Sequence, residues 1–518
     1  MRGGTRLGLA LVLGALALGA ALRAPAAPAE DARIDLGRRI FLEGRNERGE
    51  PVRALVGPQG IALAGAAVSC GNCHGADGRG RPEGGVLPTD ITWENLTKPY
   101  GLVRADGRRH GPYNERSFAR AVSEGLDPDG ARLDAAMPRY SLSVSESAAL
   151  TEYLKRLAEE RDPGVSDALL RLGTILPDRG PAAAVGAAMR GVLRAYVGRI
   201  NEQGGIHGRR LELVVAPDLA EAQARFGELP VFALVSPYSV GSEAEMAQFA
   251  RERALHVIAP FTLMTGANAS PRTFYLYPGM PELARVLLDF VGRGKDPKSE
   301  RVTAFVDDPE GRVARALQDE CERLQCGGLE LLPARSAAEP GAVARLSHLG
   351  VQSVLFAGSD RELAALLGYA ERLGWRPAIY APGAGAARAM FSAPAAFQGR
   401  LFVAYPTRGD LQGGSPAAGA FEQLRSERAL GQGHAAAQGF AYAALSITLE
   451  GLRRAGRELN RERFARALEG LHRFDAGPTP PVSFGPGRRV GALGGYVLAV
   501  DPQRGFRPVS DWIGLEPL

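Results

Sequence analysis

Two cysteines and a histidine fall within five residues, Cys70-Gly71-Asn72-Cys73-His74, in a chain that has only four cysteines. That pentapeptide constrains its surroundings more than any apolar pattern in the chain. The spacing puts two thiols where each can add to one vinyl group of a haem, and it sets the imidazole over the iron. A redox CxxC needs no following histidine. A zinc site needs further Cys or His nearby, and neither Cys321 nor Cys326 is close in sequence. One covalently bound haem c is therefore expected, attached at Cys70 and Cys73, with His74 as an axial iron ligand.

Haem attachment of this kind belongs outside the cytoplasm, and the N-terminus agrees. Arg2 and Arg6 precede an apolar run from Leu7 to Leu22, followed by Ala24-Pro25-Ala26 and Ala27-Pro28-Ala29. This is the order of a secretory leader, cleaved after Ala26 or Ala29, so residues 1–29 read as a signal peptide and the mature chain as periplasmic. The sixteen-residue apolar run is short for a bilayer span, which takes about 20 residues. No cysteine near the cleavage sites suggests a lipoprotein.

The sixth iron ligand must come from elsewhere. Met137, in Ala136-Met137-Pro138-Arg139-Tyr140, is the best candidate, because a thioether favours ferrous iron and suits an electron carrier. Pro138 disfavours a helical backbone before it, so Met137 is expected on a loop. His110 is the rival, in a polar loop expected to be exposed. Trp93, Arg109, Tyr113 and Tyr140 are candidates for hydrogen bonds to haem propionates, or for surface or core roles.

A length of 518 residues implies two or three folding units. Residues 30–162 hold the haem motif among Gly-, Pro- and Asp-rich loops framed by a helix at each end. Arg161-Asp162-Pro163-Gly164 breaks the pattern. From residue 168 to 518, short β-branched runs alternate with amphipathic helices, the pattern of a parallel α/β sheet. Strands are expected at Leu170–Leu176, Leu211–Val215, Val231–Val235, His256–Ala259, Val302–Val306, Leu329–Leu332, Ser353–Ala357, Ala378–Ala381 and Leu401–Ala404. A net charge of +5 without a basic cluster gives no nucleic-acid footprint. No GxGxxG, GxxxxGK[ST] or GxSxG motif is present, so neither nucleotide cradling nor catalysis on a bound ligand is expected.

Residues 31–158 resemble the class I cytochromes c. The likeness rests on Gly37, Ile40 and Phe41 in a first helix, the Cys70–Gly80 run with its Gly-x-Asp-Gly-x-Gly tail, the Met137-Pro138 loop, and a last helix with Tyr153 and Leu154. It implies an all-α domain whose first and last helices cross. The remaining chain resembles the leucine/branched-chain amino-acid binding proteins. That likeness rests on Gly180-Pro181-Ala182, a long helix, Ile200-Asn201-Glu202-Gln203-Gly204-Gly205-Ile206-His207-Gly208, and the strand Leu211–Val215. It extends to a helix around Tyr442–Gly456 and a late strand Gly495–Val500. It implies type I periplasmic-binding architecture, two Rossmann-like lobes closing on a ligand.

The same likeness implies a cleft built by loops at strand ends: Ser236–Ser239, Pro260–Thr262, Asp308–Glu310, Gly358–Asp360 and Pro382–Ala384. Tyr238, Ser239, Phe261, Thr262, Glu310 and Ser359 are the implied ligand contacts, with Ser239 and Thr262 suited to a carboxylate. Glu310 stands where amino-acid binders carry Tyr, and Gly383-Ala384 replaces the residue that pairs with a ligand ammonium. A small organic acid or alcohol-derived ligand without an α-amino group is the resulting expectation; the alternative is that these loops only connect. Cys321 and Cys326 are read as a disulfide, feasible only if the helix Arg312–Leu324 unwinds between them, or as free buried thiols.

Function at this level is a periplasmic c-type cytochrome whose fused domain binds a small ligand, serving a dehydrogenase or another cytochrome as redox partner. The alternative is a transport or sensory solute-binding protein with an accessory haem and a membrane permease as partner. Met137→Ala is expected to keep the covalent haem but lose the weak far-red band of ferric iron–thioether coordination, read by absorbance; an unchanged spectrum excludes Met137.

Overall fold

The β-branched runs after residue 168 become parallel strands because each is short, largely buried, and separated from the next by a helix that can cross back over the sheet. The computed structural model of the chain describes residues 28–80, 88–103, 107–157, 161–265, 270–293, 302–383, 387–408, 415–501 and 505–516. The leader expected at residues 1–29 lies almost wholly outside them. The chain divides into two compact units, Met1–Glu160 and Arg161–Leu518.

In the second unit one lobe carries five parallel strands, in the order Thr273–Phe274, His256–Ile258, Ala233–Val235, Leu169–Ile175, Arg210–Ala216. The other lobe has an eight-stranded sheet. Its parallel part runs Leu329–Pro333, Val302–Val306, Ser353–Ala357, Ala378–Pro382, Leu401–Tyr405. Gly494–Asp501 joins antiparallel to Leu401–Tyr405, and Gly505–Pro508 and Ile513–Gly514 pair with it in turn. The chain enters this lobe after Phe274, returns to the first after Tyr405 with the helix Ala435–Ala455, and enters it again before Gly494. Three crossings thus join the lobes.

The expected strands match within one or two residues, and the differences have local causes. The strand expected from Val231 begins at Ala233, because the guanidinium of buried Arg461 donates to the Val231 and Phe232 carbonyls, each at 3.0 Å. The edge strand Arg210–Ala216 is blocked against further pairing. The Asn201 side-chain amide takes both the N–H and the carbonyl of Leu211, and Arg225 takes the Val215 carbonyl.

Helix Arg312–Leu324 ends at Gln325, which turns left-handed at φ 53°, and the Cys326 amide donates to the Cys321 carbonyl at 3.0 Å. That unwinding lets Cys321 and Cys326 form a disulfide. Beside it Glu320 is fully buried and accepts from Arg285 at 2.8 Å. Burial pushes the Glu320 carboxyl up, but the Arg323 and Arg285 guanidiniums together hold it below its ordinary value.

The first unit is not all-α, contrary to the sequence reading. Arg53–Val56 pairs antiparallel with Ile61–Ala64 and with Arg139–Tyr140, and Leu102–Val103 pairs with Arg109–His110. The hairpin signal was present as two short apolar runs flanking Gly57-Pro58-Gln59-Gly60. Helices Pro28–Glu43 and Val144–Leu157 do cross. A Cβ on Gly37 would overlap the Ala149 carbonyl, and the Phe41 and Tyr153 rings meet at 5.4 Å.

His256 is a buried titratable group of the first lobe. Its ring packs among Phe274 and Phe464, its Nδ1 has no hydrogen-bond partner, and burial, with Arg272, Arg461 and Arg489 nearby, lowers its pKa to about 3. The unfolded chain therefore binds a proton that the folded chain refuses. This contribution is complete above about pH 6.5 and is lost progressively as pH falls towards 3. His256→Phe is expected to flatten the fall in melting temperature between about pH 6.5 and 5, above the carboxylate range; an unchanged slope would show that other groups carry it.

Candidate functional site

Cys70–His74 forms one short helix whose Cys70 thiol is half-buried and Cys73 thiol exposed, neither in a disulfide. The chain then folds back on itself. Gly80 adopts φ 87° and passes so close to the Pro88 carbonyl that no side chain fits, while Ile91 donates to the Gly78 carbonyl at 2.7 Å. This return brings the Thr89 carbonyl 2.8 Å from His74 Nδ1. A carbonyl only accepts, so Nδ1 carries the proton and Nε2 keeps its lone pair. Burial also lowers the His74 pKa and favours the neutral ring. A neutral imidazole with a free Nε2, next to two unbridged thiols, fits the donor set that haem c requires.

Met137 is half-buried in the turn before strand Arg139–Tyr140, off any helix face. Its carbonyl accepts from Arg139. Tyr140 holds this segment against the CxxCH helix, donating from its hydroxyl to the Val68 carbonyl at 2.7 Å within hydrogen-bonding reach of the Cys70 thiol. Burial pushes that thiol up to about 11. His110 is buried in a short strand, with Nδ1 donating to the Gly111 carbonyl at 2.8 Å, rather than exposed in the loop expected from the sequence. Trp93 packs edge-on against Phe118, and Tyr113 is buried beside His110. Among the described residues no group of three or more His, Cys, Asp or Glu side chains gathers to hold a metal ion.

In the second unit the loops named from sequence stand at the carboxyl ends of parallel strands, where open α/β sheets place ligands. They present rings more than hydroxyls. Tyr238 and Phe261 stack at 5.6 Å and 16°, Phe261 meets Phe440 edge-on at 5.0 Å, and Phe440 meets Tyr277 at 5.5 Å. Burial and the nearby Tyr405 hydroxyl, at the end of a strand in the other lobe, push the Tyr277 hydroxyl well above its usual range. Phe440, Tyr277 and Tyr405 were not singled out from sequence. Phe440 lies in a helix and looked like core, though the alternation Tyr275-Leu276-Tyr277-Pro278 was a usable strand-end signal.

The hydroxyls singled out are engaged within their own loops. Ser239 is buried, its amide donating to the Phe261 carbonyl at 3.0 Å and its hydroxyl lying 3.4 Å from the same atom. Thr262 Oγ1 lies 3.0 Å from Glu243 Oε1 and accepts from the Met264 amide at 3.0 Å. Ser359 is the N-cap of helix Asp360–Arg372, closed by a capping box with Glu362. Glu310 is exposed in the turn Asp308–Gly311, its amide donating to Asp308 Oδ1 at 3.0 Å. Gly383 ends its strand at φ 74°, and Ala384 lies outside the described residues. A separate groove of about 540 Å³ beside strand Arg210–Ala216 mixes three arginines with four carboxylates, away from these loops.

A family model described as periplasmic binding protein matches residues 170–504. Among solved structures, a fatty acid ABC transporter substrate-binding protein from Thermomonospora curvata is 19% identical with a TM-score of 0.53, covering 69% of this chain and 95% of its own. A putative branched-chain amino acid ABC transporter protein from Rhodospirillum rubrum is 19% identical with a TM-score of 0.52, covering 66% and 100%. A branched-chain amino acid ABC transporter protein from Thermus thermophilus, with bound valine, is 17% identical with a TM-score of 0.50, covering 68% and 97%. At these identities the likeness is one of fold. No curated protein matches the chain in sequence.

Tyr140→Phe is expected to leave the Val68 carbonyl unpaired and weaken the sheet by about 1 kcal/mol, a roughly fivefold rise in amide exchange over Arg53–Val56 and Arg139–Tyr140. Exchange over Leu169–Ile175 serves as the unchanged reference.

Proposed function

The chain belongs to the periplasmic binding protein family, and from that premise we propose that it is the solute-binding component of an ABC-type uptake or sensing system outside the cytoplasm, with an accessory c-type haem. The observation that carries the reading is the continuous aromatic wall at the carboxyl ends of strands, with Tyr277 and Tyr405 approaching from the two sheets. Such a wall buries the apolar body of a small organic ligand, and three chain crossings between lobes suit a hinge that closes over it. A membrane permease is then the partner. Among the described residues no helix is long and apolar enough to cross a membrane.

A second reading is favoured by one observation, the Thr89 carbonyl that orients His74. In it, Cys70 and Cys73 would hold one haem c with His74 and Met137 as its iron ligands, and the first unit would serve a periplasmic dehydrogenase or another cytochrome as redox partner. The haem supplies one-electron chemistry when bound. The protein's share is to fix the imidazole tautomer through Thr89 and to hold the Cys70 end of the motif beside Tyr140. The family match favours solute binding as the main role, with electron transfer as the accessory one.

A thermal-shift screen of the full chain against amino acids, 2-oxo acids, amines and fatty acids tests the main reading. A true ligand at 100 times its Kd adds about 2.7 kcal/mol to the stability of the binding unit and raises its melting temperature. A screen in which no compound raises it counts against solute binding.

A further inference from the structure

Resting on the solute-binding reading, the geometry points to Glu243 as the residue that sets ligand charge: the cleft takes an organic cation with an apolar body, an amine rather than a carboxylate. Two of the hydroxyls that would greet a carboxylate sit on the first lobe, Ser239 and Thr262, and both are already engaged. Thr262 Oγ1 lies 3.0 Å from a carboxylate oxygen of Glu243, so a second carboxylate brought to Thr262 would meet Glu243 first. Like charges in a closing, poorly hydrated cleft repel strongly.

Glu243 is also available. Among the described residues no Lys or Arg forms an ion pair with it. It lines a small cavity of about 20 Å³ with Ser239, Thr262 and Tyr275, room for about one water. The neighbouring loop is aromatic, and the negative faces of Tyr238 and Phe261 attract a cation where they repel an anion. Burial together with Glu243 raises the Tyr238 pKa, which keeps that hydroxyl neutral. At the carboxyl end of Val302–Val306 in the other lobe, Asp307 and Glu310 are exposed and add the same sign of charge. An opposing charge is supplied by Arg312, which opens the following helix with a buried Nη1 that has no hydrogen-bond partner among the described residues. A carboxylate ligand, if one binds, would be held at Arg312.

Three probes with one branched body separate these outcomes by calorimetry on the full chain: 3-methylbutylamine, leucine and 4-methyl-2-oxopentanoate. The amine is expected to bind, and the oxo acid to bind at least about tenfold more weakly. Glu243→Gln is expected to weaken the amine about tenfold and to narrow the gap to the oxo acid. Its melting temperature should not change, because the Gln carbonyl still accepts from Thr262. Tighter binding of the oxo acid or of leucine than of the amine, abolished by Arg312→Gln, overturns the inference while leaving solute binding intact. An unchanged amine affinity in Glu243→Gln overturns it too, as does binding of none of the three. Solute binding itself falls only if the broader thermal-shift screen is blank.

Discussion

Helix Ala435–Ala455 is buried along nearly its whole length, against helices Ala183–Glu202 and Arg461–Glu469 and against the strands Ala233–Val235 and His256–Ile258. It returns to the first lobe only after the chain has built most of the second, so the first core is not complete without it. Small residues at Ala437, Ala441, Ala443 and Ala444 allow that close approach, because dispersion in a dense core rewards short distances. Tyr442 on the same helix stacks on Tyr196 at 4.5 Å and 7°. Phe440, in its first turns, reaches the aromatic wall. One buried helix therefore joins stability to the candidate site.

In the second lobe the comparable fixed point is ionic. Arg285 and Glu320 have side chains 3% and 0% exposed, and Arg285 also donates to the Glu516 carbonyl near the end of the chain. A buried pair of this kind adds little net stability. Losing Glu320 would leave the buried Arg285 charge without its carboxylate, at a cost of roughly 3–5 kcal/mol, whereas Glu320 without Arg285 keeps Arg323. The pair ties helix Met280–Gly292 to helix Arg312–Leu324, and the Cys321–Cys326 disulfide closes the second helix immediately after Glu320. The helix that follows strand Val302–Val306 is thus anchored at its far end.

The two units express different kinds of site. In the first, the candidate site is one contiguous motif, and the fold orients it: Gly80 and the Pro88-Thr89 return put a carbonyl against one nitrogen of His74. In the second, the candidate site is spread over loops from both sheets. A hydroxyl there is worth only what its neighbours leave free, and Ser239, Thr262 and Ser359 are satisfied within their own lobes. The loops expected from resemblance to line a cleft carry a wall of rings, and Thr262 among them is hydrogen-bonded to Glu243.

The sequence by itself determined the strands and helices of residues 168–518, because β-branched runs and three- and four-residue apolar spacing express local geometry. It set Cys70, Cys73 and His74 side by side in one motif, since the five residues are contiguous. It did not carry the antiparallel sheet of the first unit, where Arg139–Tyr140 pairs with Arg53–Val56 across more than eighty residues. Nor did it reveal the partners of Thr262 and Ser359, or the meeting of Phe440 with Phe261 from a helix nearly two hundred residues away. Which hydroxyls are engaged, which rings face one another and which carboxylate accepts from Thr262 are set by contacts distant in the chain. Only the tertiary structure decided them, because hydrogen bonds and ring contacts depend on separation in space, and periodicity encodes separation only along one element.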